Sequence, residues 1–338
     1  MSKKVTMRDV AAEMKVSVVS VSKALSEKEG VSELVRVKIK DKAKEMGYVY
    51  VPSSDAEKKD SRIFGVIVSN SYISDSAFYS KLYQNIVIEF GKKNHSCIME
   101  ILSYKDEIEG RLPKLIENKQ VDGIIILGPI AIEGLNHLIM HAVPMIFLDT
   151  YMANTNIDAV VSDSVYGSYL LTNYLIAKGH KKIAFVGNRK ATNSIMDRFL
   201  GYYKSMIEAD LPIKEGYIIN DRSIDGVLSD LEIPKEIPEA FVCNCDEIAV
   251  KLIEILTEQG YQIPEDISVV GFDDYMFATL SKPQLTTYHV DMKKMAEEAV
   301  YILEKKIEDS SYQVGRRVVS GSIVLRDSVK NRKKNMNM

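Results

Sequence analysis

The 338 residues contain no tryptophan and only three cysteines, and each scarcity excludes something. Cys97, Cys243 and Cys245 are an odd set that cannot pair off into a disulfide framework; with no leader-like segment at the start they point to a reducing, cytoplasmic setting. No apolar run approaches the ~20 residues that a membrane-spanning helix needs, so no membrane partner is expected. Without tryptophan, any ring-shaped ligand must be stacked by phenylalanine or tyrosine. Metal chemistry is thinly supplied as well. His137 and His141 stand four apart on an expected helix, a spacing able to hold a metal, but no third ligand is evident and two surface imidazoles are the plainer reading. Cys243-Asn244-Cys245 is too closely spaced for a usual zinc or redox pair. No cofactor or metal is expected.

What is present is distributed unevenly. The net charge of −3 looks wrong for a nucleic-acid partner until it is divided. Residues 1–50 hold eleven lysines and arginines against seven acids, leaving +4 there and −7 in the remainder. Basic charge is concentrated at the N-terminus, where electrostatic attraction to phosphate would be useful. The short basic run Lys330 to Lys334 reads as a frayed, solvated end, within a tail of residues 330–338.

That basic segment has a pattern of its own. Thr6 can cap a first helix, with Asp9 three residues on to complete the cap and favour the positive end of the dipole. Val10, Ala11 and Met14 then share a face. Ser17 is a second N-cap candidate, after which Val18, Val21 and Leu25 recur at helical spacing and Ser20, Ser22 and Lys23 fall on other faces. Ser32 opens a third helix over 33–46, placing Leu34, Val37, Ile39, Ala43 and Met46 among five basic residues, with Gly47 as the stop. Two short helices joined by a tight turn and braced by a third form a helix-turn-helix, which predicts DNA binding over residues 1–48. Residues 49–62 turn polar after Pro52 and read as a linker.

Beyond the linker, apolar strands alternate with amphipathic helices. The expected order is Ile63 to Val68, Phe78 to Lys93, Cys97 to Leu102, Glu107 to Asn118, Gly123 to Leu127, Ile132 to His141 and Met145 to Leu148. A second series starts with a helix at Val165, then Ile183 to Val186, Ile195 to Ala209, Ala240 to Cys243, Asp246 to Gln259 and Ile267 to Phe272. This βαβ rhythm implies parallel sheets with helices on both faces, and two series imply two lobes. Ligands of such sheets sit beyond the carboxyl ends of the strands. Ser69-Asn70, Asp149-Thr150, Asn188-Arg189, Asn244-Cys245 and Asp273-Asp274 are therefore the positions to examine.

Several ordered motifs carry a resemblance. T-x-x-D-V-A from Thr6, V-S-x-x-S-V-S-x-x-L from Val16, V-S-x-x-x-R from Val31 and the closing Gly47-Tyr48 resemble the DNA-binding headpiece of the LacI/GalR (lactose-repressor and galactose-repressor) family. Gly179-His180-Lys181-Lys182-Ile183-Ala184-Phe185-Val186-Gly187, Arg198-Phe199-Leu200-Gly201-Tyr202, the stretch from Ile263 to Asp274, and Pro283-Gln284-Leu285-Thr286-Thr287 resemble that family's effector-binding core. The similarity spans about residues 5–329. It implies a small all-α headpiece and an α/β periplasmic-binding-protein-like core (63–329) of two doubly wound parallel-sheet lobes. Three crossovers would join them, giving lobe 1 about 63–161 and 291–320, and lobe 2 about 162–290 and 321–329.

The resemblance also implies roles. Val18, Val19 and Lys23 stand where the family's recognition helix presents its base-reading side chains. Two valines offer apolar contact, most naturally to thymine methyls, whereas Lys23 can donate to guanine O6 or N7 or to a phosphate. Val18 shares the apolar spacing, so core packing competes with base contact there. Ser17, Ser20 and Ser22 are candidate phosphate contacts, with Thr6, Arg8 and Lys3 adding to the footing. On the ligand side, Arg198 and Asp273 align with residues that grip effector hydroxyls: a guanidinium fork can bond two adjacent hydroxyls and a carboxylate can accept from two more, which suits a sugar. Ser194, Asp149, Ser69 and Cys245 match other pocket positions. Cys245 stands where relatives often have asparagine, which argues for a different effector from that of the galactoside-responsive members. Tyr72, Phe78 and Tyr79 follow the first strand and could stack on a sugar face, with core packing the alternative for Phe78.

Two departures from the family pattern stand out. Lys15 occupies the helix-helix turn where glycine is usual, which is costly if that site needs positive φ. The hinge lacks the family's Ala-Arg-x-Leu, whose leucine wedges into the minor groove; around Pro52 this chain offers Asp55 or Glu57 for the arginine and Glu57 or Lys59 for the leucine. The expected consequence is a weaker operator kink, or substitution by Tyr50 or Val51.

Rival functions fare worse. Asp273-Asp274 could be a catalytic carboxylate pair, but adjacent strand-end residues point in opposite directions and do not converge on one bond, so an enzyme is not expected. A solute-binding protein sharing the core fold would need a secretion signal in place of the basic helical unit. Control by a phosphorylated carrier protein instead of a sugar stays open. The expectation is a cytoplasmic homodimeric repressor that binds double-stranded operator DNA and is relieved by a small-molecule effector, most naturally a carbohydrate.

Overall fold

The computed structural model describes residues 5–27, 29–48, 61–73, 77–131, 135, 138–141, 143–153 and 155–335. His137, Lys3 and the hinge residues Tyr50, Val51, Asp55, Glu57 and Lys59 lie outside them, as does half of the expected helix from Ile132 to His141. The chain divides into two compact units, Met1–Asp60 and Ser61–Met338.

In the first unit α1 spans Met7–Met14, α2 Val18–Leu25 and α3 Glu33–Glu45. Thr6 and Asp9 form a reciprocal capping box: the Thr6 hydroxyl accepts from the Asp9 N–H at 3.4 Å, and the Asp9 carboxylate accepts from the Thr6 N–H at 2.8 Å. Ser17 caps α2 by accepting from the Ser20 N–H at 3.0 Å. Ser32 precedes α3 without any side-chain cap bond, contrary to expectation. Val10, Ala11, Val21, Ala24, Ile39 and Ala43 form the small core. Leu34 and Val37, expected to join it, are exposed at 79% and 49%. Ile39 and Ala43 are one turn apart and face inward; Leu34, five residues before Ile39, is rotated well away from that face. Lys15 does adopt the left-handed conformation, with φ 52°.

In the second unit the strands among the described residues are β1 Ile63–Ser69, β2 Ser96–Leu102, β3 Gly123–Leu127, β4 Met145–Leu148, β5 Asp158–Ser162, β6 Ile183–Val186, β7 Ile218–Ile219, β8 Ala240–Cys243, β9 Ser268–Val270, β10 Thr287–His289, β11 Arg316–Val319 and β12 Ser322–Val324. One all-parallel sheet has the order β11-β5-β4-β3-β1-β2, and a second has β7-β6-β8-β9. Continuous apolar runs such as Gly123–Leu127 and Met145–Leu148 are buried along their whole length, as strands covered on both faces must be. β10 and β12 pair as an antiparallel ribbon, and isolated parallel bridges Val270↔Thr286 and Asp273↔His289 tie it to the second sheet. The late strand β11 returns to the first sheet because buried Asp158 anchors it: one carboxylate oxygen accepts from the Val314 and Gly315 N–H groups at 2.9 and 2.6 Å, and the other meets Lys306 Nζ at 2.6 Å. The architecture is thus a helical headpiece followed by two parallel-sheet α/β lobes.

Some local expectations fail for identifiable reasons. The helix expected over Glu107 to Asn118 is two short ones, Tyr104–Ile108 and Lys114–Glu117. Gly110, at φ 63°, and Pro113 separate them. β5 precedes the helix that was to open the second series, and it belongs to the first sheet. The basic tail is docked rather than frayed as far as its start: the Lys330 N–H donates to Ser268 Oγ at 3.0 Å, its ammonium reaches the Glu265 carbonyl at 2.6 Å, and the Arg332 guanidinium lies 3.5 Å from Glu239. A hydroxyl, a backbone carbonyl and one carboxylate of the second lobe hold the start of the run in place. Among the described residues no helix is long and apolar enough to cross a membrane.

Candidate functional site

On the headpiece, α2 turns Val21 and Ala24 into the core and leaves Val18 and Val19 exposed at 41% and 64%. Val18 therefore stands off the core despite its spacing. Arg8 is exposed, and Ser22 and Lys23 are half-buried. The Lys23 ammonium lies beside the Gly30 turn, so close that a Cβ on Gly30 would sit 2.9 Å from it. Thr6 and Ser17 hydroxyls are already engaged in capping, and Ser20 Oγ lies 2.9 Å from Ser17 Oγ.

In the second unit a cavity of about 520 Å³ opens between the lobes, beyond the carboxyl ends of the strands. The first lobe contributes Tyr72, Phe78, Tyr79 and Asp149; the second contributes Ser194, Arg198, Cys245 and Asp273. These are the sequence-derived effector positions with one exception. Ser69 is buried at the end of β1, its hydroxyl accepting from the Ser71 N–H at 3.3 Å, and does not line the cavity. The last residue of a strand buried on both faces points into the lobe, and the wall begins with Asn70 and Ser71.

The floor is an electrostatic assembly. Arg198 projects from the first turns of the helix Asn193–Glu208, which Thr192 caps. That helix crosses its neighbour Ser164–Ala177 at Gly201, where a Cβ would lie only 2.1 Å from the Val165 carbonyl. The guanidinium rests on the Phe272 ring at 3.9 Å, donates through Nη1 to the Asn244 carbonyl and meets Asp273 at 3.1 Å through Nη2. Its Nε is buried with no partner. Burial pushes the Asp273 carboxyl up to about 7, with Arg198 opposing the shift. Burial likewise raises Asp149 to about 6, opposed by Arg198 and by Tyr79, whose hydroxyl donates to it at 2.9 Å. Burial raises Asp246 well above its usual range, and the Asp273 charge adds to this; its carboxylate accepts from Thr287 Oγ1 at 2.6 Å and the Tyr275 N–H at 2.9 Å. The Cys245 thiol is raised to about 12 by burial, so it faces the cavity as a neutral, weakly polar group.

Sequence reasoning missed one wall. Residues 221–229 form a hairpin, with an antiparallel bridge Arg222↔Leu228 and the Ser223 N–H donating to the Val227 carbonyl at 2.8 Å. Arg222, Gly226, Val227 and Leu228 line the cavity from it. Buried Asp221 organises this wall, accepting from Arg222 Nε at 2.8 Å, the Asn188 N–H at 2.9 Å and the Asn244 amide at 2.9 Å. The segment has no hydrophobic period, and the strand before it is two residues long; only the adjacent Asp221-Arg222 pair could have drawn notice. Among the described residues no group of three or more His, Cys, Asp or Glu side chains is placed to hold a metal ion.

Comparison with known proteins accounts for both units. Residues 6–51 match the family of bacterial regulatory proteins of the lacI type, and residues 172–329 match the periplasmic binding protein-like domain. The HTH-type transcriptional repressor PurR of Vibrio atlanticus (strain LGP32) is 28% identical over 335 residues, 96% of this chain and 98% of the relative. The HTH-type transcriptional repressor CytR of Escherichia coli (strain K12) is 25% identical over 336 residues, 96% of each. In fold, the chain is similar to the lac repressor dimer bound to operator and the anti-inducer ONPF, with TM-score 0.73, 22% identity and coverage of 97% of this chain and 100% of the other. It is also similar to the transcriptional regulator CelR in its cellobiose complex, with TM-score 0.69, 21% identity and coverage of 96% and 99%. A capped helix-turn-helix headpiece and a two-lobed core, each matched in order along nearly the whole chain, place this protein in the LacI family of transcriptional regulators.

Proposed function

We propose that this protein is a homodimeric, sequence-specific transcriptional repressor whose operator affinity is controlled by an uncharged, polyhydroxylated ligand, a carbohydrate, bound between the two lobes. The charge balance of the cavity carries the ligand reading. Four acids, Asp149, Asp246, Glu247 and Asp273, line it against two bases, Arg198 and Arg222. Both guanidiniums are committed to carboxylates, Arg198 to Asp273 and Arg222 to Asp221. An anionic effector would meet no uncompensated cation, and a purely apolar one would leave buried charges without hydrogen bonds. Hydroxyl groups donate to the carboxylates and accept from the forks at once.

On the DNA side, each headpiece of a dimer would place α2 in a major groove, two half-sites one or more helical turns apart. The ligand touches residues of both lobes, so it favours one arrangement of them over another. It can shift the dimer between operator-competent and incompetent states only by that difference in affinity. Relatives named as repressors support the DNA reading, and the cellobiose bound by a protein of the same fold supports the ligand class.

The test is operator selection from random duplexes by the purified chain, followed by anisotropy titration with a panel of sugars, nucleobases and sugar phosphates. A carbohydrate should weaken operator binding and raise the melting temperature; stabilisation of about 2.7 kcal/mol is expected at a hundredfold excess over Kd. A response confined to phosphorylated compounds or nucleobases would overturn the ligand reading. Undiminished operator binding by a chain lacking residues 1–47 would overturn the DNA reading.

A further inference from the structure

We infer that the cavity is built for a saccharide of two rings, the inner held by the Arg198 floor and the outer by Arg222 and the apolar rim of the 221–229 hairpin. This rests on the carbohydrate reading above and narrows it to a size class and a specificity-determining residue.

The cavity is graded by depth. Arg198, Asp149 and Asp273 are 5%, 5% and 7% exposed, whereas Leu228 and Val227 on the hairpin are 41% and 61% exposed. Polar grip is thus deep, and apolar surface lies at the mouth. A volume of about 520 Å³ falls in the range of roughly 300–1,000 Å³ typical of drug-sized ligands and is more than one pyranose ring fills.

Each depth offers a donor to a ligand. On the floor, Arg198 Nε is buried without a partner, a costly state that a ligand oxygen would relieve. On the hairpin, Arg222 turns Nε and Nη2 to a single Asp221 oxygen, both at 2.8 Å. Asp221 engages Nε and Nη2 and leaves Nη1 to one side, and the side chain lines the cavity. Asp221 is itself fixed by the Asn188 N–H and the Asn244 amide, so the position of Arg222 is dictated by the second sheet and not by the hairpin tip.

The tip closes over the other lobe. Gly226 has φ +90°, a conformation that favours glycine, and a Cβ there would stand 3.0 Å from the Tyr72 ring. Tyr72 in turn donates to the Ala191 carbonyl at 3.3 Å. The hairpin therefore roofs the outer half of the cavity, and a ligand long enough to reach from floor to roof uses both arginines. A monosaccharide on the floor would leave Arg222 Nη1 without a ligand partner.

The experiment is calorimetry on the full chain with cellobiose, maltose and lactose against glucose and galactose, repeated with Arg222→Met and Leu228→Ala. At least one disaccharide should bind about tenfold or more tighter than either component sugar. Arg222→Met should weaken that disaccharide by about tenfold and the monosaccharides by less than about twofold. Leu228 is exposed, so Leu228→Ala keeps the test intact if the loss of Arg222 disturbs Asp221; it should lower the disaccharide affinity several-fold and leave monosaccharides unchanged. A monosaccharide that binds as tightly as any disaccharide, or variants that weaken both classes equally, would overturn the inference while leaving the carbohydrate reading standing. If no sugar binds, the carbohydrate reading itself falls, and this inference with it.

Discussion

Acidification should release the ligand, and the cavity fixes both the direction and the size of the effect. Burial holds Asp273 at about 7 and Asp149 at about 6, against an ordinary value of 3.8. A sugar hydroxyl that donates to a carboxylate binds the ionised form, so each pH unit below the controlling pKa weakens binding tenfold. Asp273 alone predicts a loss of about a hundredfold between pH 8 and pH 5, and Asp149 adds about tenfold at the acid end. Calorimetry across that range, in buffers of different ionisation enthalpy, should show protons released on binding near pH 7. Asp273→Asn should flatten the dependence above about pH 6. Affinity that is level from pH 8 to 5, or tighter at pH 5, would refute the assignment of ionised carboxylates to ligand hydroxyls.

The same shift bears on the unliganded protein, with the sign set by linkage. The folded-state pKa of Asp273 is raised, so between about pH 4 and 7 the folded chain binds more protons than the unfolded chain, and stability falls as pH rises through that window. Three units correspond to on the order of 4 kcal/mol. Urea unfolding at pH 5 and pH 7.5 should show wild type losing more stability with rising pH than Asp273→Asn does; equal losses would mean that Asp273 is not strained by its site.

Other expectations are more local. Arg198→Ala leaves Asp273 and Asp149 facing each other without their shared cation, and should abolish the ligand effect on operator affinity while costing the core about 3–5 kcal/mol, less where Asp273 takes up a proton. A variant that still responds to ligand would misplace the site. Lys23→Ala should weaken operator binding by roughly 1–3 kcal/mol and relax one base position if the lysine reads guanine, or weaken all sequences alike and flatten the salt dependence if it meets a phosphate; unchanged affinity would remove Lys23 from the interface. Lys15→Gly should stabilise the headpiece by about 1 kcal/mol, because a lysine at φ 52° gives way to the residue that tolerates it. Hydrogen exchange in the full chain measures this, and faster exchange of α1 and α2 would count against it.

What was legible in the sequence, and what was not, follows from how far each feature reaches along the chain. The headpiece helices could be read because capping is a matter of three or four residues: Thr6 with Asp9, and Ser17 with the Ser20 N–H, are local pairs. The parallel strands could be read because burial on both faces makes them continuously apolar. α3 was only half legible, since its apolar residues exceed what one face can bury, and only the packed structure selects Ile39 and Ala43 over Leu34 and Val37. The floor residues Arg198 and Asp273 were found through family motifs, and no periodicity would have joined them across 75 positions.

The 221–229 wall escaped for the opposite reason. Its place is set by Asp221, whose partners Asn188 and Asn244 lie 33 and 23 residues away, and by a glycine pressed against a tyrosine of the other lobe. Such a segment has no hydrophobic repeat to keep, so nothing in its periodicity announces it. The wall meets the ligand through exposed Val227 and Leu228, whereas the Arg198–Asp273 floor is buried and bonded, so a change of effector is expected to show first at the tip of this hairpin while the floor stays as it is.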